Sequence, residues 1–138
     1  MSTIKINVVL FGIGNVGSTL LNQVLESQQF FIEKKNIEVR FPVITNSSLA
    51  FFEKDGIKNN WEANFTNASI PYQINQIIDY IKNENLENVI VVDATASVDF
   101  VKNYIAFIQA GFNIVAANKK ANTLHQDFYK EIRQNLKK

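Results

Sequence analysis

Ile4-Lys5-Ile6-Asn7-Val8-Val9-Leu10-Phe11-Gly12-Ile13-Gly14-Asn15-Val16-Gly17 decides how the rest of the chain is read. Its first eight residues are rich in β-branched side chains and nearly continuous in apolar character, which suits a strand buried on both faces of a parallel sheet. Its last six hold three of the five glycines in the chain, spaced Gly-x-Gly-x-x-Gly. That spacing carries meaning only between a strand and a helix, and here it stands in that context. Gly12 permits a tight turn, Gly14 lets an anion approach the backbone without meeting a Cβ, and Gly17 lets the helix pack close to the strand. Free amides and the partial positive charge at the helix N-terminus complete a cradle for a pyrophosphate. A P-loop is excluded, because no Gly-Lys-Ser/Thr follows.

Working outward, Val16, Leu20, Leu21, Val24 and Leu25 form one helical stripe that predicts a helix from Asn15 to about Lys34. Ile37 to Thr45 reads as a second strand, and Pro42 inside it predicts a position on the sheet edge, since proline cannot donate to a ladder. Residues 46 to 69 show no clean period and read as a surface excursion, with a short helix near Asn59-Asn60-Trp61-Glu62. Ile74, Ile77, Ile78 and Ile81 predict a helix from Pro71 to about Asn85. Val89 to Asp93 is a third buried strand. Ser97 can cap the next helix, whose inner stripe reads as Val101, Tyr104, Ile105 and Ile108 and whose end is Gly111. Asn113 to Ala117 is a fourth strand, and Leu124, Phe128, Ile132 and Leu136 mark a last helix from about Asn122.

Strands separated by helices imply right-handed crossovers and an α/β fold: a Rossmann-type doubly wound parallel sheet of about four strands with helices on both faces. The expected spatial order is second, first, third, fourth. A ligand then binds beyond the carboxyl ends of the first and third strands, where the order switches direction.

The 138 residues suit one domain, able to bury about two-thirds of the surface of its unfolded form. With no cysteine and one histidine, thiolate catalysis, disulfides and a Cys/His zinc site are excluded, and no metal is expected. A net charge of +1 without a basic cluster gives no footprint for nucleic acid. No apolar run approaches the roughly 20 residues of a membrane span, and no secretory leader is visible, so the expected location is cytoplasmic.

A dinucleotide site reads the adenosine ribose at the end of the second strand, where an acidic residue selects NAD. Here Thr45-Asn46-Ser47 occupies that place, and Glu38 lies at the wrong end. Nothing there repels a 2′-phosphate, so NADP or use of both cofactors is expected. Lys54 and Lys58 could reach a phosphate if the irregular segment folds back, but read more readily as solvated lysines. The third strand ends Val92-Asp93-Ala94-Thr95-Ala96-Ser97, and the fourth runs into Ala117-Asn118-Lys119-Lys120-Ala121-Asn122-Thr123. A lysine just after a buried strand on the ligand edge is placed to touch substrate or nicotinamide; read alone, the pair is equally two surface lysines. Asp93 reads as a carboxylate that fixes neighbouring loop amides, and His125 as an exposed residue of the last helix.

Phe11 to Gly17, the strand ending in Asn46-Ser47, the Val92 to Ser97 segment and above all Asn118-Lys119-Lys120-Ala121-Asn122 together resemble the NAD(P)-binding domain of homoserine dehydrogenase, in the branch fused behind an aspartate kinase. The resemblance implies NAD(P)-dependent interconversion of aspartate semialdehyde and homoserine, in threonine and methionine biosynthesis. It implies that Ile13, Asn15 and Val16 join Gly12, Gly14 and Gly17 at the pyrophosphate. Asn46 and Ser47 then sit at the adenosine ribose, and Ala94, Thr95 and Ala96 beside the nicotinamide ribose. Asn118 would lie at the same end, with Lys119 as the lysine near nicotinamide and substrate. Two positions depart from the pattern: Ala96 replaces a frequent second hydroxyl residue, so only its backbone contributes, and Ala117 replaces a frequent proline.

Such an enzyme also needs a bound carbonyl substrate and a closed pocket, which the family supplies from a following α+β domain. No segment of residues 1–138 reads as that domain. The expectation is therefore a cofactor-binding part of a larger, homo-oligomeric enzyme, inactive by itself. The alternatives are a stand-alone NAD(P)-sensing module and a doubly wound scaffold for protein contacts.

Overall fold

The computed structural model describes residues 3–116. Its elements, in chain order, are β1 (Ile4–Phe11), α1 (Asn15–Glu26), α2 (Gln28–Lys35), β2 (Ile37–Thr45), β3 (Leu49–Phe52), α3 (Trp61–Ala68), β4 (Ile70–Pro71), α4 (Ile74–Asn83), β5 (Val89–Asp93), a 3-10 helix (Val98–Asn103), α5 (Tyr104–Gln109) and β6 (Asn113–Ala116). The strands form one sheet in the order β4-β3-β2-β1-β5-β6. The four strands read from sequence are β2, β1, β5 and β6, parallel throughout and in the predicted order. Residue 117 and the last predicted helix, with His125, lie outside the described residues.

β1 is covered on both faces, as its composition requires. Ile6, Val8 and Leu10 face Leu20, Leu21 and Val24 of α1 and Trp61 and Phe65 of α3 in one core. Val9 and Phe11 face Ile77, Ile78 and Ile81 of α4 and Phe107 of α5 in the other. Trp61 is tied to the first crossover by its indole N–H, which donates to Asn22 Oδ1 at 2.9 Å.

The segment 46 to 69, read as irregular, instead contributes sheet. β3 pairs antiparallel with β2, and β4 antiparallel with β3, giving six strands rather than about four. β2 is therefore internal, and the edge position predicted from Pro42 is corrected. Asn7 pairs with Arg40 but Val9 with Val43, so Phe41 and Pro42 together oppose Val8 in a bulge. A bulge leaves one residue out of the ladder, which is what a residue without an N–H needs. The Pro42 carbonyl still accepts from Glu53 N–H at 2.7 Å. Pro71 likewise belongs to β4 and not to a helix; α4 starts at Ile74, where Gln76 Oε1 accepts the Gln73 N–H at 2.8 Å.

The predicted helix from Asn15 to Lys34 is two helices that part at Ser27. The break lets Gln28 face β2 beyond the reach of β3. Its carboxamide accepts the Val39 N–H at 2.9 Å and donates to the Val39 carbonyl, so one side chain pairs both backbone groups of a strand residue.

A second correction concerns the helix after β5. Val101, Ile105 and Ile108, expected inside, are exposed, as is Val98. Only Tyr104 of the predicted stripe turns inward. Phe100 and Phe107 take the inner positions because their rings pack on Phe11, at centroid distances of 4.8 and 5.3 Å. Two apolar stripes compete for one helix, and the aromatic one buries more surface and gains ring-ring contacts. Ser97 caps as predicted, its Oγ accepting the Asp99 N–H at 3.2 Å, and Gly111 ends α5 with φ +88°. Among the described residues, no helix is long and apolar enough to cross a membrane.

Gln28→Ala removes both partners of Val39 in a half-buried place. The expected result is a loss of about 1–2 kcal/mol, read as a lowered denaturant midpoint with unchanged slope.

Candidate functional site

The strand ends and the turn after β1 meet at one corner of the sheet. Gly12 has φ +100°, a conformation that a side chain would strain, and a Cβ there would lie 2.7 Å from the Ala94 carbonyl oxygen. Its N–H donates to Thr45 O at 2.9 Å, and Ala94 N–H donates to Phe11 O at 2.8 Å. The ends of β1, β2 and β5 are thus held together by backbone alone. Gly17 is buried beneath the turn, where a Cβ would stand 1.7 Å from Gly12 O. Gly14 is the opposite case: a Cβ there meets nothing within 4 Å.

Gly14 opens onto a cleft of about 950 Å³. Gly12, Ile13, Gly14, Asn15, Val16, Asn46, Ser47, Ala94, Thr95 and Ala96, all singled out in the sequence, line it. Gly17 supports the loop from below without lining the cleft. Asn118 and Lys119 lie outside the described residues. The remaining wall, not foreseen as part of the site, comes from Tyr72, Ser97, Asp99, Phe100, Lys102 and Asn103.

The β1 turn feeds directly into α1, whose first backbone bond runs from Ser18 N–H to Gly14 O at 2.9 Å. The amides before it have no carbonyl of an earlier turn to bond, and with the helix dipole behind them they can receive an anion. Asp99 and Lys102 are the charged side chains of the wall and offset each other.

At the end of β2, Asn46 folds the chain back into β3. Its Oδ1 accepts the N–H groups of Ser48 at 2.9 Å and Leu49 at 2.7 Å. Its carbonyl accepts the Tyr72 hydroxyl at 3.0 Å, which seats Tyr72 in the wall of the cleft. Glu38 and Arg40 pair with each other at 2.6 Å, Lys54 lies 3.8 Å from Glu84, and Lys58 borders a separate small cleft.

At the end of β5, Asp93 is 3% exposed and fully engaged. Its Oδ1 accepts the Thr95 N–H at 3.0 Å and the Thr95 hydroxyl at 2.6 Å. Its Oδ2 accepts the Tyr104 hydroxyl at 2.6 Å. Asp93 therefore holds the loop from Ala94 to Thr95, as read from the sequence, while its phenol partner was not foreseen. Burial, then the hydrogen bond to Asp93 and its charge, push the Tyr104 phenol up from 10.0 to about 12. The phenol stays a donor at neutral pH. The site offers amides, hydroxyls and apolar side chains, groups able to bind and orient a ligand.

The sequence model of the homoserine dehydrogenase NAD-binding domain matches residues 12–138. The bifunctional aspartokinase/homoserine dehydrogenase of Buchnera aphidicola is 37% identical over 132 residues, which cover 95% of this chain and 16% of that protein. Staphylococcus aureus homoserine dehydrogenase shares the fold with a TM-score of 0.57 at 19% identity, over 94% of this chain and 31% of that one. A hyperthermophilic archaeal homoserine dehydrogenase mutant, solved in complex with NADPH, does so with a TM-score of 0.56 at 20% identity, over 94% and 40%. The chain thus spans about a sixth of the bifunctional relative's length.

A group whose folded pKa is raised contributes stability that is complete below its unfolded pKa and lost as pH rises through the folded one. For Tyr104 that window runs from about pH 10 to about 12. The thermal midpoint of the wild type should fall more steeply across this window than that of Tyr104→Phe; equal slopes would remove the phenol–Asp93 contact from the account.

Proposed function

We propose that this chain, which belongs to the homoserine dehydrogenase NAD-binding domain family, binds NADP or NAD along the cleft and serves as the cofactor-holding part of a homoserine dehydrogenase. The carrying observation is the room at Gly14: of the three glycines in the turn, the one where an added Cβ would meet nothing within 4 Å also lines the cleft at the free amides. The space lost to a Cβ at Gly12 and Gly17 is filled by protein, and at Gly14 it is left to a ligand. A pyrophosphate fits that space by size and by charge.

Each residue then has a task. The backbone of Gly12, Ile13, Gly14, Asn15 and Val16 holds the pyrophosphate, with Gly17 allowing the approach of α1. Asn46 and Ser47 take the adenosine ribose. Ala94, Thr95 and Ala96 take the nicotinamide ribose, their loop held by Asp93 and Tyr104. Asn118 and Lys119 act at the nicotinamide end, Lys119 as the point charge or proton carrier beside the substrate carbonyl. Bound nicotinamide supplies the hydride chemistry itself. The protein positions it with glycines, amides and a lysine.

The substrate pair would be aspartate semialdehyde and homoserine. No described element offers an enclosed pocket for it, and a further α+β domain of the full enzyme would supply one, along with contacts between subunits. The reading also carries a cytoplasmic location, with no nucleic acid or membrane partner.

Gly14→Val tests the cofactor reading. Calorimetric titration of the wild type with NADPH and NADH should show binding of at least one below millimolar. The variant should keep its circular dichroism and melting temperature and lose affinity at least tenfold, because the side chain enters the pyrophosphate space. Absence of binding by the wild type at millimolar concentrations of both cofactors would overturn the reading. In the full enzyme, Lys119→Ala should lower turnover by about a hundredfold while changing the cofactor Kd little. An unchanged turnover number would remove Lys119 from the mechanism.

A further inference from the structure

Val98, Val101, Ile105 and Ile108 are each more than half exposed. They recur at i, i+3, i+7 and i+10 along the 3-10 helix and α5, so they share one face. Phe100 and Phe107 turn instead to Phe11, and Tyr104 to Asp93. The other large apolar residues exposed among the described residues, Ile4, Phe30 and Ile70, lie on other elements. A continuous apolar stripe on a helix that is already packed marks a surface with a partner.

The stripe borders the point at which the described chain ends. α5 is the crossover from β5 to β6, and β6 has no strand on its far side among the described residues. Ile114 and Val115 of β6 pack on opposite cores and are both only half-buried. The chain reaches Ala116, paired with Asp93, at the same end of the sheet from which it left β5 for the 3-10 helix. A right-handed crossover from there onto the open edge returns along the face that α5 occupies.

The sequence beyond Ala116 holds a matching stripe. Leu124, Phe128, Ile132 and Leu136 recur every fourth residue, the spacing of one helical face. A helix rises about 18 Å from Leu124 to Leu136, and the 3-10 helix and α5 rise about as much from Val98 to Ile108. Residues 117–121 can span at most about 17 Å, enough for the roughly 8–10 Å between packed helices. Starting from the same end of the sheet, the two stripes meet in order, Leu124 towards Val98 and Leu136 towards Ile108. We infer that the stripe of Val98, Val101, Ile105 and Ile108 seats the chain's own last segment, residues 122–136, apolar face to apolar face. A second copy would need roughly 800 Å² of interface on each partner, more than four aliphatic side chains supply. A segment on so short a tether needs less, because the tether holds it near the stripe at a high effective concentration. Seated there, it ties down residues 117–121, with Asn118 and Lys119, at the edge where Ala116 pairs with Asp93. The inference does not rest on the cofactor reading, and its test uses no cofactor.

Amide hydrogen exchange on the 138-residue chain reads the docking, since an isolated helix of this length is marginal in water and protection requires a partner. Peptides spanning 124–136 should exchange at least about tenfold more slowly than an unstructured segment, and equally so on dilution. Val101→Asp/Ile108→Asp should abolish that protection while β1 and β5 exchange as in the wild type, and Val101→Leu/Ile108→Leu should keep it. Phe128→Asp, which alters only the segment, should abolish it as well. A wild-type segment that exchanges freely overturns the inference and leaves the stripe to a further domain. Protection that survives the aspartates overturns it too, by placing the segment elsewhere. Protection that weakens on dilution, together with a dimer in sedimentation, overturns it in favour of a second copy.

Discussion

The contact on which the structure depends is the one between a helix and a strand with no side chain between them. α1 crosses the β1 turn so closely that a single carbon at Gly17 would stand 1.7 Å from the Gly12 carbonyl oxygen. That closeness fixes the angle at which α1 leaves the sheet, and hence how Leu20, Leu21 and Val24 reach Ile6, Val8 and Leu10. It also brings the unbonded amides of α1 to the sheet edge instead of above it. Packing and binding are in this sense one constraint: the backbone geometry that seals one core opens the cleft.

Features of the fold that depend on neighbours in sequence were legible, and features that depend on neighbours in space were not. β1 and β5 announce themselves by unbroken apolar character, and the parallel order follows from alternation with helices. Pro42 was read by a local rule, that proline avoids internal strands, but the exception, a bulge, depends on the strand opposite. Gln28 looks like an ordinary helical residue until Val39 is beside it. The stripe of Val101, Ile105 and Ile108 is as periodic as that of Phe100, Tyr104 and Phe107. Only the presence of Phe11 beneath the helix decides which one is buried.

The site divides along the same line. Its glycines were legible because they answer to backbone requirements that few other residues satisfy, and the residues around them followed from the loop positions. Asp93 was readable as a loop-fixing carboxylate because Thr95 is two residues away, whereas Tyr104 is eleven residues away and entered the sequence reading only as an apolar position. Tyr72 and Phe100 carried no signal, since they reach the cleft through pairings that bring distant segments together. At Asn46 the sequence shows the absence of an acid. The commitment of its oxygen to the turn becomes visible only with the Ser48 and Leu49 amides in place.

The volume missing from Gly12 is occupied by the peptide of Ala94, at 2.7 Å from where a Cβ would be. The β1 turn and the loop after β5 therefore interlock at the cleft. A ligand long enough to touch both meets a surface whose two halves are already in register. Its second half engages at a high effective concentration once the first has docked, and little of the interaction is spent on ordering the protein. In an interlocked pair of loops, tolerance of sequence change is shared as well: a bulkier residue at Gly12 would be felt first at Ala94 and Thr95, in the neighbouring loop.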